Sequence, residues 1–372
     1  MAVRGRLRAA ASGRPVTGPP LRPGPVTIAD VARRAGVSTA VVSRLVNNDQ
    51  ALSVRDETRA RVMAAIESLG YRPNATARSL RRSRMDAFGL IIPNFDNPVY
   101  AKIIEGAEAA AVAMGCVLLT GSTAGSGLVP MQYADELASG RVDGLLLADT
   151  EADAALGPPP YPVKVPFLLV NRRVPGVDRY IVLDDETGAD IAVSHLAELG
   201  HTRIGHIAGP WSADTAGRRA AGYRQAMRSA GLPAPPELVV SADYTPGGGA
   251  AAMAQLLGLA EPPTAVFVAN VTSAAGALHA AAARGVAIPA DVSVVTLHDL
   301  SLAAYLSPAL TTVRMPLTDL GARAVDLLAS RPADAPVREI CDGPMELVVR
   351  DSAGPPPRRA GRRRTPRPGG GQ

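Results

Sequence analysis

Residues 27–48 carry polar and basic side chains at a spacing that could recognise a nucleic acid. Thr27 can cap a first helix with Asp30 as its reciprocal partner, and Gly36 permits the left-handed turn that ends such a helix. Ser38 can cap a second helix two residues later. Two short helices joined in this way predict a helix-turn-helix, whose second helix enters the major groove of DNA. An ordinary helical hairpin is the alternative interpretation.

The second helix of this pair has a predicted inner and outer face. Val42 and Leu45 are expected to face the core. The residues expected to face outward, where DNA would lie, are Thr39, Ala40, Ser43 and Arg44. A third helix over roughly 55–69 would close the small core with three further apolar side chains, namely Val62, Ile66 and Leu69.

The charge of the chain is distributed very unevenly along its length. Residues 1–84 contain 16 arginines, no lysine and five acidic residues, whereas residues 85–349 contain 16 basic and 28 acidic residues. Residues 350–372 contain seven arginines and one aspartate. A basic head on an acidic body suggests that the head alone binds a polyanion. A solubilising arginine tail is the simpler alternative.

Several classes of protein are made improbable by composition. The two cysteines, Cys116 and Cys341, lie far apart, which argues against a disulfide scaffold and fits a reducing compartment. The five histidines show no metal-ligand spacing, and the glycine-rich run at 121–127 lacks the Lys-Ser/Thr pair of a phosphate-binding loop. We therefore expect no cofactor, no metal and no catalytic residues. No signal peptide or membrane span is recognisable, so a cytoplasmic protein that does not bind membranes is expected.

From residue 87 onward, short apolar runs alternate with amphipathic, alanine-rich segments such as 100–114 and 186–199. Each run is bounded by Gly, Pro or Asn, which favours strands over buried helices. The predicted strands are 88–93, 116–121, 143–149, 166–171, 180–185, 203–209, 237–243, 265–270 and 292–298. This alternation predicts parallel sheets with helices on both faces, and the number of units favours two doubly wound sheets. Ligands bind such sheets at the carboxyl ends of the strands.

A series of motifs then resembles the LacI/GalR family of transcriptional regulators over roughly residues 25–356. The matching segments read PVTIADVARRAGVS with VSRLVN, GYRPNATARSL, LAELGHTRIGHIAGP, RRAAGYRQAM, IPADVSVV, SPALTTVRMP and ELVVRDSAGPP. The resemblance implies an all-α helix-turn-helix domain, a hinge helix, and an α/β periplasmic-binding-protein-like core of two lobes. It also implies a dimer that binds a pseudo-palindromic operator, most often as a repressor.

The resemblance assigns DNA contacts residue by residue. Thr39 and Ala40 occupy the positions that choose bases, Arg44 occupies that of a DNA-contacting arginine, and Thr27, Ser38 and Ser43 flank them. Both base-choosing side chains are short, so direct readout should be modest. Residues 74–81 resemble the hinge helix, in which Leu80 matches a leucine that wedges between base pairs in the minor groove. The other hinge residues expected to contact DNA are Asn74, Ala77, Arg78 and Arg81. A plain flexible linker is the alternative for this segment.

The resemblance also places an effector in the cleft between the lobes. Its expected ligands are Asn94, Phe95, Tyr100, Arg219, Tyr244, Asn270 and His298. His298 stands where the family usually has an aspartate, and Val271 follows Asn270 where another acid is usual. The loss of these carboxylates leaves a sugar, a sugar phosphate or a purine-like ligand open. His298 could attract an anion if protonated near neutral pH, or could be a satisfied histidine in a cavity that binds nothing.

The predicted organisation has five parts. Residues 1–25 form a disordered basic tail, 26–72 the helix-turn-helix domain, 73–84 the hinge and 354–372 a second disordered basic tail. The core spans 85–353. Its first lobe is expected to cover about 85–184 and 312–328, and its second lobe about 185–311 and 329–353.

The sequence predicts two partners and leaves one alternative function open. The partners are double-stranded operator DNA and a small-molecule effector. The last segment has no apolar heptads, so a homodimer without a tetramerising helix is expected. A small-molecule-binding α/β protein or enzyme with an incidental basic N-terminus is the alternative.

Overall fold

A computed structural model describes residues 26–46, 52–71, 85–123, 141–148 and 165–357. The chain divides into two compact units, Met1–Arg82 and Ser83–Gln372, and each is described by itself. Within the described residues, no helix has the length and apolar character needed to cross a membrane.

In its described residues, 26–46 and 52–71, the first unit contains three helices, α1 (Ile28–Ala35), α2 (Thr39–Val46) and α3 (Asp56–Leu69). The carboxylate of Asp30 accepts hydrogen bonds from the backbone nitrogen of Thr27 at 3.0 Å and from its hydroxyl at 2.6 Å, which fixes the start of α1. Gly36 ends α1 in the left-handed conformation with a φ of 66°. The Ser38 hydroxyl accepts a hydrogen bond from the backbone nitrogen of Val41 at 3.4 Å, at the start of α2. The predicted caps and the predicted turn are therefore confirmed.

The core of the first unit is small and apolar. Val31, Val42 and Val62 are completely buried, and Leu45 is nearly so. The three helices therefore hold one another through a few valine contacts, and the opposite face of α2 is left to solvent.

The second unit contains two six-stranded sheets. The first is built from β1 (Ala87–Ile92), β2 (Val117–Ser122), β3 (Gly144–Leu147), β4 (Phe167–Val170), β5 (Arg179–Val182) and β11 (Val337–Ile340), in the order β11-β5-β4-β3-β1-β2. The second is built from β6 (Ile204–Ala208), β7 (Val239–Ser241), β8 (Ala265–Val268), β9 (Ser293–Leu297), β10 (Thr311–Arg314) and β12 (Glu346–Val348), in the order β12-β10-β9-β8-β6-β7. The pairing is parallel except between β10 and β12. The two predicted parallel sheets are confirmed.

Six helices among the described residues pack against these sheets. The first sheet is covered by α4 (Pro98–Ala113) and α9 (Leu317–Ser330). The second sheet is covered by α5 (Asp185–Glu198), α6 (Asp214–Ser229), α7 (Pro246–Leu257) and α8 (Val271–Ala283). The carboxyl ends of the central strands of both sheets are left to build a cavity between the lobes.

The expected lobe boundaries are wrong at the end of the chain. Residues 312–328 were assigned to the first lobe, but β10 pairs with β9 in the second sheet, and only α9 belongs to the first lobe. Residues 329–353 were assigned to the second lobe, but β11 pairs with β5 in the first sheet. The strands β10, β11 and β12 are short and rich in Thr, Arg and Glu. Because they are not apolar runs, the sequence pattern did not reveal them.

Glycine allows the closest helix contact of the first lobe. A Cβ atom on Gly106 of α4 would overlap the backbone oxygen of Thr318, and one on Gly321 of α9 would overlap the backbone oxygen of Ile103. The two helices therefore touch backbone to backbone, and no larger residue fits at either position without moving them apart.

We expect Gly106→Ala to lower the free energy of unfolding by about 1–3 kcal/mol, because the added methyl group forces α4 and α9 apart. Gly217→Ala is the matched control, since Gly217 is also helical but has open space around its Cβ position. Alanine there should be neutral or stabilise the helix by about 0.5–1 kcal/mol. Urea denaturation of both variants measures the difference, and equal effects would contradict the close contact.

Candidate functional site

The exposed face of α2 is the first candidate site. Thr39, Ala40 and Arg44 are exposed and Ser43 is half-buried, opposite the buried Val42 and Leu45. The two capping residues, Thr27 and Ser38, are exposed as well. This face offers hydroxyl groups and one guanidinium, which can donate hydrogen bonds to phosphate or base edges.

The hinge residues predicted to contact DNA lie outside the described residues. They are Asn74, Ala77, Arg78, Leu80 and Arg81, and their roles stay predictions.

The second candidate site is a cavity of about 220 Å³ between the two lobes. Its lining follows the carboxyl ends of strands in both sheets: Asn94 follows β1, Asn171 follows β4, Asn270 follows β8 and His298 follows β9. Six of the seven predicted ligands line it, namely Asn94, Tyr100, Arg219, Tyr244, Asn270 and His298. Phe95 is not part of the lining, and 61% of its surface is exposed.

Arg219 lies at the centre of the cavity wall and is almost completely buried. Its Nε donates to Asp185 at 2.7 Å, and its Nη1 donates to the backbone oxygen of Ala269 at 3.0 Å. Its guanidinium carbon lies 5.6 Å from the centre of the Tyr244 ring. The arginine is thus held on three sides, with its position fixed before any ligand arrives.

The completely buried carboxylate of Asp185 holds two arginines. It accepts from Arg219 and also from Nη1 of Arg218, whose Nε donates to Asp214 at 3.0 Å. Burial by itself would raise the pKa of Asp185, but the two guanidinium groups outweigh it and lower the pKa. Burial likewise opposes the charge of Arg219, but Asp185 raises the pKa of that arginine above its usual value. Both groups are therefore charged, and their charges balance.

His298 is neutral in this cavity. Burial, and then the nearby charge of Arg219, lower its pKa to about 3. An Arg219 Nη2, which can only donate, lies 3.5 Å from His298 Nε2. We therefore assign the ring proton to Nδ1, an atom with no hydrogen-bond partner in the described part of the chain. Of the two alternatives left open for His298, this low pKa does not favour a protonated ring that attracts an anion near neutral pH.

Backbone strain concentrates around the same cavity. Asn171, Tyr244 and His298 have φ values of 60°, 64° and 71°, and the only other described non-glycine residue with positive φ is Asp86. Such conformations cost free energy and persist where the surrounding structure imposes them, often at functional sites. Three strained residues in the lining of one cavity point to a binding role for it.

Tyr244 is held by both its hydroxyl group and its ring. The hydroxyl lies 2.8 Å from Thr215 Oγ1, and any side chain on Gly209 would overlap the ring. Burial raises the pKa of Tyr244 above its usual value, so the phenol stays protonated at neutral pH. The ring therefore presents a fixed flat surface to the cavity.

The side-chain amides of the lining differ in whether they already make hydrogen bonds within the protein or could make them to a ligand. Asn270 accepts from the backbone nitrogen of Ser273 at 3.0 Å and donates to the backbone oxygen of Tyr244 at 3.3 Å, so its amide positions α8 and Tyr244. In contrast, Oδ1 of Asn171 is buried and lacks a hydrogen-bond partner in the described residues. Asn171 Oδ1 can accept and His298 Nδ1 can donate, a combination that suits a hydroxyl-bearing or amide-bearing neutral ligand.

Sequence reasoning missed several residues of this site. Asp185, Asn171, Asp243 and Thr215 were not predicted, although the first two end predicted strands. The rule that ligands bind at strand ends could have found Asn171 and Asp185. Asp299, the neighbour of His298, lies outside the lining and accepts hydrogen bonds from Thr312, Arg314 and Arg350. In the described part of the chain no cluster of His, Cys, Asp and Glu could hold a metal ion.

Comparison with known proteins finds a separate match for the helix-turn-helix unit and for the unit that holds the cavity. Residues 27–74 match the family of bacterial regulatory proteins called lacI, and residues 193–353 match a periplasmic-binding-protein-like domain. The ribose operon repressor of Escherichia coli (strain K12) is 36% identical over 308 residues, which are 82% of this chain and 92% of that protein. The transcriptional repressor PurR of Klebsiella pneumoniae (strain 342) is 36% identical over 308 residues, 82% of this chain and 90% of that protein. The crystal structure of the Lac repressor dimer bound to operator and the anti-inducer ONPF superposes with a TM-score of 0.77 at 29% identity, over 89% of this chain and 99% of that chain.

We expect the stability of the protein to fall as the pH is lowered from 7 to 5. Burial lowers the pKa of both His298 and His206 to about 3, well below that of a histidine in the unfolded chain. The unfolded chain therefore binds protons in this range that the folded chain does not, and each histidine contributes up to about 2 kcal/mol of the loss.

Urea denaturation of His298→Gln at both pH values tests this assignment. The variant should lose less stability between pH 7 and 5 than the parent protein does. His279→Gln, which removes an exposed imidazole on α8, is the control and should behave like the parent. An unchanged pH dependence in His298→Gln would mean that His298 is protonated in the folded protein.

Proposed function

Because the chain belongs to the LacI family of bacterial regulatory proteins, we propose that it is a sequence-specific DNA-binding transcriptional repressor controlled by a small molecule. The observation that carries the proposal is the presence in one chain of an exposed helix-turn-helix face and a pre-formed cavity between two lobes. The relatives named above are repressors, and family members are regulators rather than enzymes. We propose that this chain likewise catalyses no reaction and acts in the cytoplasm, on the nucleoid.

In this proposal α2 lies in the major groove. Thr39 and Ala40 face the bases, Arg44 contacts DNA beside them, and Thr27, Ser38 and Ser43 approach the backbone. The exposure of Thr39, Ala40 and Arg44 supports this arrangement. Leu80 would wedge into the minor groove, with Asn74, Ala77, Arg78 and Arg81 around it.

The cavity favours a small uncharged ligand. Asp185 and Asp214 together balance the charges of Arg218 and Arg219, and His298 is neutral. The volume of about 220 Å³ lies below the roughly 300–1,000 Å³ of pockets for drug-sized ligands. Among a sugar, a sugar phosphate and a purine-like molecule, we propose a neutral sugar as the effector. Arg219, Tyr244 and His298 of the second lobe bind it, together with Asn171, Asn94 and Tyr100 of the first lobe.

A surface of the first lobe supports a homodimer. Strand β2 is at the edge of its sheet, and exposed apolar side chains lie on it and beside it: Val112, Met114, Val117 and Leu119. An exposed apolar edge strand is a ready surface for another chain. We propose that a second copy covers it, which pairs two helix-turn-helix units on a pseudo-palindromic operator.

Leu80→Ala should weaken binding to the operator by roughly tenfold or more, because a wedge that kinks DNA offsets an unstacking cost of a few kcal/mol. Binding to unrelated DNA depends on counterion release and should change little. Gel-shift titrations on DNA upstream of the protein's own gene and on unrelated DNA, at two salt concentrations, measure both affinities. Met85→Ala, an exposed apolar residue just after the hinge, is the control. An equal loss of affinity for both DNAs would contradict the wedge role of Leu80. If the parent protein does not shift the upstream fragment, the proposed repressor function is contradicted.

The double variant Val117→Arg/Leu119→Arg should be monomeric in light scattering at micromolar concentration, because two cations cannot be buried in an apolar interface. Its operator affinity should fall with the loss of the dimer. Val349→Arg changes another exposed valine, which lies next to β12, and should leave the dimer intact. A dimeric double variant would place the interface elsewhere.

A further inference from the structure

A second cavity lies directly beside the interlobe cavity. This groove has a volume of about 570 Å³, and its lining includes Arg173, Tyr180, Trp211, Ser212, Asp214 and Arg218. Ser212 lines both the groove and the interlobe cavity, so the two spaces are adjacent at this residue.

The groove contains the single tryptophan of the chain. Trp211 is 55% exposed, which is unusual for so large an apolar side chain. A turn closed by the hydrogen bond from the backbone nitrogen of Ala213 to the backbone oxygen of Pro210, at 2.9 Å, holds it just before α6. An indole fixed at the surface in this way offers a flat apolar face and a ring N–H donor to a ligand.

The polar groups of the groove are largely paired with one another. Asp214 Oδ2 accepts from the backbone nitrogen of Arg173 at 2.9 Å and from Arg218 Nε at 3.0 Å. The Arg173 guanidinium lies over the Tyr180 ring at 5.4 Å. The lining holds two arginines and three acidic residues, and one of the acids, Asp178, pairs with Arg338 at 2.6 Å. The groove therefore combines an aromatic face with hydrogen-bonding groups and little net charge, which suits a neutral ring that carries hydroxyl groups.

The groove and the interlobe cavity also share their scaffold. Arg218 lines the groove and Arg219 lines the cavity, and both bind the carboxylate of Asp185. Their relative position is thus fixed by one buried group rather than by flexible loops.

We propose that the groove is a second sugar subsite, so that the effector has two linked rings, one in the interlobe cavity and one against Trp211. This inference rests on the proposed function, because it extends the effector site of the repressor. The interlobe cavity is small for two rings, and the neighbouring groove supplies the remaining space together with the aromatic face.

The experiment compares one-ring and two-ring sugars on the full-length protein. The probes are glucose against maltose and cellobiose, and galactose against lactose and melibiose, measured by calorimetry. At least one disaccharide should bind roughly tenfold or more tightly than its component monosaccharide. Tryptophan fluorescence reports Trp211 alone, so that disaccharide should change the emission and the monosaccharide should not.

Variants of Trp211 distinguish stacking of the second sugar ring on the indole from a general loss of folding. Trp211→Ala should remove the gain from the second ring while monosaccharide affinity stays within twofold, and Trp211→Phe should retain part of the gain. Tyr305→Ala, which removes an aromatic ring that is 86% exposed and outside both cavities, should change neither affinity.

The outcomes distinguish this inference from the function on which it rests. Equal affinities for one-ring and two-ring sugars, or a gain that survives in Trp211→Ala, would overturn the subsite and leave a sugar-controlled repressor. Binding of none of these sugars would overturn the subsite too, while operator binding in the gel shift would still support the repressor.

Discussion

The buried carboxylate of Asp185 is the interaction on which the rest of the effector site depends. It is the first residue of α5, where the chain passes from the first sheet to the second lobe. An unpaired carboxylate at this depth would cost several kcal/mol, so the fold must supply the two arginines that bind it. Arg218 also donates to the backbone oxygen of Leu183 at 2.7 Å and contacts that of Asn171 at 3.5 Å, both in the first lobe. One carboxylate thus positions the guanidinium of the cavity and fixes a helix of the second lobe to the first.

This network explains the protonation states of the cavity. Burial, and then the charge that Arg219 keeps beside Asp185, hold the pKa of His298 low, and the neutral imidazole turns its Nε2 lone pair toward the arginine. The available groups are then an N–H on His298 and an oxygen on Asn171, with the Tyr244 ring beside them. A ligand gains by completing these hydrogen bonds, and since its partners come from both lobes, binding favours one arrangement of the lobes over others.

Much of the fold could be predicted from the sequence, and particular residues show why the rest could not. Gly36, Ser38 and the buried Val42 form a local pattern whose geometry is set within a few residues, and the nine apolar strands are confirmed. The strands β10 and β11 lie in the lobe opposite to the expected one, because their pairing is decided by distant strands, which no local pattern encodes. Six of the seven ligands predicted from the resemblance line the cavity, but the neutral state of His298 depends on its burial and on Arg219, which is distant in sequence.

If α2 reads the operator as proposed, its short side chains give the apolar edge of the first lobe its importance. A good base contact discriminates by about 1–3 kcal/mol, and the short side chains of Thr39 and Ala40 can make few such contacts. Specific DNA binding requires a preference of roughly 4–10 kcal/mol over other sites, more than one such helix can supply. Two copies on a two-fold site double the discrimination, provided that the spacing between them is fixed. The exposed Val117 and Leu119 on β2 offer the surface that can fix it, so an effector that changes the arrangement of the lobes could change that spacing and hence operator affinity.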